Sequence, residues 1–228
     1  MATRTYVEPF DDGPGGWAGR NVALEVADGA AISGSPWWVD ANHAPPGAGY
    51  LHMLYVLWTT DSIPKVYQEA GGRNRFVEGG FPTDFTNARM TLRLKGELDA
   101  KGAQLLLLVQ ARIEEMSVAH VLTEQPFEVT RDWSEQTAAL VPDPDQWLCV
   151  GARHDLGHEY GYADIAGVLR DVNVDVILVL HPLDVVPVGP IARDPNILWA
   201  GRDYEPDYSR LPEGHVLLDE VRIEFPVA

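Results

Sequence analysis

The closing stretch, His215-Val216-Leu217-Leu218-Asp219-Glu220-Val221-Arg222-Ile223-Glu224-Phe225, decides the fold. Read with period two, Leu217, Asp219, Val221, Ile223 and Phe225 share one face, and Glu220, Arg222 and Glu224 share the other. That is a strand with one face in a core and one in water. Asp219 interrupts the apolar row. An unpartnered carboxylate inside a core costs several kcal/mol, so the position demands a cation, a cluster of donors or a local bulge.

The rest of the chain repeats the strand rhythm. Asn21 to Val26 and Ala30 to Ser33 flank a turn at Asp28-Gly29. Tyr50 to Thr59 is apolar on both alternating faces, which predicts a central strand with a layer over each side. In Ala88 to Lys95, Met90, Leu92 and Leu94 point inward, and Arg89, Thr91, Arg93 and Lys95 form an outward basic row. Gln104 to Ile113, Ser117 to Thr123, Phe127 to Thr130, Ser134 to Val141 and Val174 to Leu180 read as further strands. Ile63 to Gly80 reads as irregular. One helix is expected at Asp164 to Asp171, with Ile165, Val168 and Leu169 at helical spacing. About a dozen strands and one short helix, without a composition break, predict an all-β jelly-roll sandwich of two antiparallel sheets. Residues 1–228 read as one domain with an elaborated loop at about 35–49.

Composition narrows the function. The formal charge of −17 over 228 residues disfavours nucleic acid, anionic membranes and sulfated polymers, all of which need dense Lys and Arg. No apolar run reaches the length of a membrane span. Met1 to Phe10 lacks the apolar region of a signal peptide, and the single Cys149 excludes an internal disulfide. Cys149 sits in the apolar run Trp147 to Val150 and reads as an inert buried thiol. The compartment stays open: a cytoplasmic site and export both agree with this cysteine usage.

Three segments resemble the galactose-binding-like β-sandwich of many carbohydrate-binding modules. They are Phe10-Asp11-Asp12-Gly13 with Trp17; Phe127-Glu128-Val129-Thr130 with Trp133, Gln136-Thr137 and Trp147; and Leu218-Asp219-Glu220-Val221-Arg222-Ile223. The likeness spans most of the chain in outline and is specific at about fifteen positions. It departs at Asp11-Asp12, where those modules have Phe-Glu. The resemblance implies glycan binding and a structural calcium between the first and last strands, held by Asp11 and Asp219. Calcium takes six to eight oxygen ligands, and a Gly-rich turn exposes carbonyls for it.

Sugar sites combine aromatic faces with Asp, Asn, Arg or His. Two loops have that mixture: Trp37-Trp38 with Asp40, Asn42 and His43, and His154 with Tyr160 and Tyr162. His154 and His158, with Asp155 and Glu159, also invite a transition-metal reading. Gly157 argues against the helix needed to place both imidazoles on one face. The basic row at Arg89 to Lys95 suits carboxylated sugars if its face is open.

The expectation is therefore non-catalytic glycan binding. Two alternatives remain. One is a polysaccharide lyase or glycoside hydrolase on a similar sandwich, with His43, His52 and Tyr55 as the nearest candidate bases. The other is a structural interaction module anchored by Trp37 and Trp38.

Overall fold

The computed structural model describes residues 3–19, 23–35, 37, 39, 50–61, 65–151, 160–189 and 205–226. Twelve strands lie among them: β1 (Thr3–Glu8), β2 (Trp17–Ala18), β3 (Glu25–Ala27), β4 (Ala30–Gly34), β5 (Tyr50–Trp58), β6 (Arg89–Asp99), β7 (Gln104–Ile113), β8 (Met116–Phe127), β9 (Ser134–Ala139), β10 (Trp147–Cys149), β11 (Asp175–Leu183) and β12 (Glu213–Pro226). They form two antiparallel sheets. The first runs β3-β4-β12-β6-β9, with β1 also on β12, and the second runs β10-β8-β7-β11-β5-β2. The molecule is the expected all-β sandwich.

Met90, Leu92, Leu94, Val221, Ile223 and Phe225 from the first sheet meet Leu105, Leu107, Val109, Val176 and Leu178 from the second in one core. The second sheet is buried on its far side too. Leu51, Met53, Val56, Leu106, Leu108, Val121, Ile177 and Val179 form a separate apolar cluster there. This agrees with the doubly apolar reading of β5. Its place in the sheet differs from the expected central one, because β5 lies between β11 and the two-residue β2. Coverage of both faces, rather than position in the strand order, makes such a sequence apolar throughout.

Strand β12 departs from a simple alternation. Leu218 pairs with Leu94 and Glu220 with Arg93, so Asp219 is the extra residue of a β-bulge. Before the bulge Val216 and Leu218 are buried; after it Val221, Ile223 and Phe225 are. The single inserted residue resets the phase, and Leu217 and Asp219 lie outward instead of in the apolar row. Across the other edge, β4 pairs with His215 to Leu218 and β1 with Val221 to Pro226, so the bulge falls where one neighbour ends and the next begins. The first and last strands thus lie side by side, and Asp219 forms an ion pair with Arg93.

Three further readings change. Ile63 to Gly80 contains two short helices, α1 (Lys65–Gly71) and α2 (Arg75–Glu78). Asn74 caps α2 by accepting the Val77 N–H, a local signal in a segment too short to show periodicity. The α-helices among the described residues are therefore three rather than one, the third being α3 (Ile165–Arg170), capped by Asp164. The strand expected at Ser117 to Thr123 runs on to Phe127 as β8, and the separate strand expected at Phe127 to Thr130 is absent, since residues 128–130 are irregular.

Tyr55 ties the sheets together. Its hydroxyl donates to the Val216 carbonyl at 2.6 Å and lies 3.2 Å from that of Ala31. Burial pushes its phenol well above the ordinary range. A base must reach substrate, so Tyr55 is removed from the lyase candidates. His52 is also buried, with its ring 5.9 Å from that of Trp37.

The bulge yields a test. Deleting Asp219 leaves Val216, Leu218, Val221, Ile223 and Phe225 facing inward, so that variant folds and melts within a few degrees of the parent. Deleting Arg222 turns Ile223 and Phe225 outward and abolishes the cooperative transition. Circular dichroism melts of the two deletions check this, and equal melting of both would contradict the register.

Candidate functional site

The outer face of the first sheet carries the densest set of recognition chemistry among the described residues. Alternation along β6 puts Arg93 and Lys95 outward, between buried Leu92, Leu94 and Gly96. Strand β9 begins with Ser134 opposite Leu94, which brings the preceding Trp133 alongside Lys95. The Lys95 ammonium lies 4.6 Å from the Trp133 ring centroid and the Arg93 guanidinium carbon 5.0 Å from it. Such cation–π contacts contribute about 0.5–1 kcal/mol each at exposed sites. The indole itself is half-buried and keeps part of its surface in water. Asp219, placed outward by the bulge, holds the Arg93 guanidinium from the other side. Thr91, in the same row, is bonded to Thr137 at 2.8 Å and is covered.

The loop that delivers Trp133 is fixed to β6. The Thr130 carbonyl accepts the Gly96 N–H at 2.8 Å, and the Thr130 hydroxyl donates to the Asp132 carbonyl at 2.9 Å. A Cβ on Gly96 would stand 2.2 Å from the His215 carbonyl oxygen, so only glycine allows β6 and β12 this close beneath the loop. A groove of about 750 Å³ opens beside the platform, bounded by Ser35, Glu97, Val129, Arg131, Glu213 and His215. Arg131 neutralises Glu97 at 3.3 Å. At the groove's end, the hydrogen bond and charge of Lys101 hold the Asp99 carboxyl below its usual range.

The expected site residues divide. Trp38, Asp40, Asn42, His43 and His154 lie outside the described residues, as do Asp155, His158 and Glu159 of the transition-metal reading. Trp37 is partly buried and packs against the core. Tyr160 is half-buried and forms a bridge with Ser117. Tyr162 is 64% exposed. Its ring lies where a Cβ on Gly151 would sit, at 2.3 Å, so a glycine backbone supports it. Asp11 and Asp219 are engaged separately: Asp11 is exposed beside Gly29, and Asp219 is paired with Arg93. These two carboxylates alone do not supply the oxygen set calcium takes. No group of three or more His, Cys, Asp or Glu that could hold a metal occurs among the described residues. Cys149 is half-buried, and burial pushes its thiol up, away from nucleophilic use.

Among the described residues two carboxyl groups are displaced upward, and both are buried. Glu8 is covered completely; burial raises it against the Phe10 N–H and the Arg75 guanidinium, 2.9 Å away. Asp175, on the far side of the second sheet, is pushed to about 8 by burial alone. A glycosidase needs a raised acid together with a second carboxylate across a cleft. The cross-strand neighbours of Asp175 are Trp58 and Gln110. Of the carboxyls that line the groove, Asp99 is displaced the other way.

Asp175 has a thermodynamic consequence. Its folded value lies above the unfolded one near 4, so its contribution to stability is full below pH 4 and is lost as pH rises toward 8, at about 1.4 kcal/mol per pH unit. Asp175→Asn removes the dependence. The variant should match the parent at about pH 4 and gain in melting temperature progressively up to about pH 8. A constant difference across that range would contradict the assignment.

No family model matches the chain, and comparison with curated proteins gives no match. Two solved structures show distant likeness. One is a chain from work on endo-acting O-glycanases that prominent members of the human gut microbiota express to initiate mucin breakdown. It is 10% identical with a TM-score of 0.33, over 96% of this chain and 97% of that one. The other is the CBM2 module of the evolved Dit of Lactobacillus casei BL23 phage J-1, 11% identical with a TM-score of 0.30, over 99% and 97%. Likenesses of that size assign no family.

Proposed function

We propose that this protein is a non-catalytic glycan-binding β-sandwich whose binding face is the outer side of the first sheet around Trp133. The observation that carries the reading is the half-open indole lying against Arg93 and Lys95, with Asp219 beside them. A pyranose presents an apolar C–H face and a hydroxyl edge. The ring accepts the first by stacking, while fixed cations and a carboxylate bond the second. The adjoining groove gives room for further sugar units. All of these groups ride on paired strands or on a loop bonded to one, so they are held in place before the ligand arrives and little ordering entropy is lost on binding.

Trp133→Ala tests this by affinity electrophoresis and calorimetry against a panel of plant, bacterial and mucin-type glycans. The expected loss is about 2 kcal/mol, roughly thirtyfold in Kd, as for a central aromatic anchor. Unchanged binding would remove Trp133 from the site.

A second patch has one observation in its favour, the solvent-open Tyr162 on its glycine support. Tyr162 belongs to the expected loop of His154 and Tyr160. Binding that survives Trp133→Ala and fails in Tyr162→Ala moves the site there. A structural calcium is carried as a proposal beside this one, and it would have to take Asp219 from Arg93. A higher melting temperature in calcium than in chelator supports it; superimposed melting curves remove it.

A further inference from the structure

The charge pattern along β6 and β12 bears on which glycan fits, and its meaning rests on the glycan reading of this face. Successive outward pairs run Asp99 with Glu213, Glu97 with His215, Lys95 with Leu217, then Arg93 beside Asp219 and Glu220. Arg93 is neutralised by Asp219, Arg131 by Glu97, and Asp99 by Lys101. Lys95 differs: among the described residues no carboxylate pairs with it, and its ammonium is held against the indole. In a chain of charge −17, this is one uncompensated cation at the edge of an aromatic platform, with carboxylates on either side of it.

We infer that the site takes a neutral glycan bearing isolated carboxylated sugars, of the uronic-acid class, with the carboxylate of one unit placed on Lys95. The geometry separates this ligand from its relatives. A uronic acid keeps the C–H face that stacks on Trp133 and adds a carboxylate at the ring edge, where Lys95 forms a charge-assisted bond. A wholly neutral chain leaves the ammonium unanswered. A densely charged chain finds no second free cation on the platform, since Asp219 holds Arg93 and Glu97 holds Arg131, and it brings its next carboxylates toward Glu213, whose like charge repels them. Only spaced carboxylates meet the single cation while uncharged neighbours lie in the groove.

The experiment uses three probes on the full chain: a xylan with sparse glucuronate branches, the same xylan after chemical reduction of its carboxyls, and polygalacturonate. Kd is measured for the parent, Lys95→Met, Lys95→Arg and Trp133→Ala. The expected result is about tenfold weaker binding of the reduced xylan and of polygalacturonate, the effect of one charge-assisted bond at an open site. Lys95→Met should abolish the preference for the unreduced xylan, bringing native and reduced xylan to the same Kd, while Lys95→Arg restores the preference. Equal binding of native and reduced xylan, lost in Trp133→Ala, overturns this inference and leaves the glycan reading standing. Tightest binding to polygalacturonate overturns the spacing argument. No binding to any probe overturns both.

Discussion

One residue too many on the last strand sets the geometry of the first sheet. Strand β12 is paired along one edge by β6 and along the other by β4 and then β1, and its apolar residues must face inward at both ends. Val216 and Leu218 reach the core on even positions, Val221 to Phe225 on odd ones. A chain with side-chain period two can satisfy both only by leaving one residue unpaired between them. Asp219 is that residue, and its carboxylate meets Arg93 at the outer surface instead of entering the core. The ion pair is partly exposed, so its own contribution to stability is about 1 kcal/mol or less. Its larger effect is positional, because it restrains Arg93 beside Trp133.

Much of the architecture was legible in the primary structure because it rests on local periodicity. Met90, Leu92 and Leu94 against Arg89, Arg93 and Lys95 can be read in only one way, and Gln104 to Ile113 matches β7 residue for residue. The oddity of Asp219 was visible, and a cation and a bulge were among its separate solutions. What period two cannot show is which side of the bulge the carboxylate takes, since a phase reset looks identical to an intruding charge. The helices of residues 65–78 were invisible for a related reason: seven and four residues hold too few turns for a 3.6 repeat.

The candidate site was less legible. The basic row was plain, but Trp133 stood out only as part of a resemblance, because its value comes from the pairing of strands distant in sequence. Trp37 shows the converse. Its loop has the composition of a sugar site, yet the ring packs toward His52 and the core. Composition gives the residue types for recognition; long-range register decides which of them meet at the surface.

The second sheet is covered on both sides, whereas the first keeps an open polar flank. This divides the molecule into a half that tolerates almost no change and a half that tolerates a great deal. Replacing Leu106 or Ile177 by a polar residue disturbs packing within the sealed half, but exchanging Lys95, Glu97 or Glu135 leaves the core beneath them intact. Descendants of this chain can therefore drift in what they recognise without renegotiating how they fold.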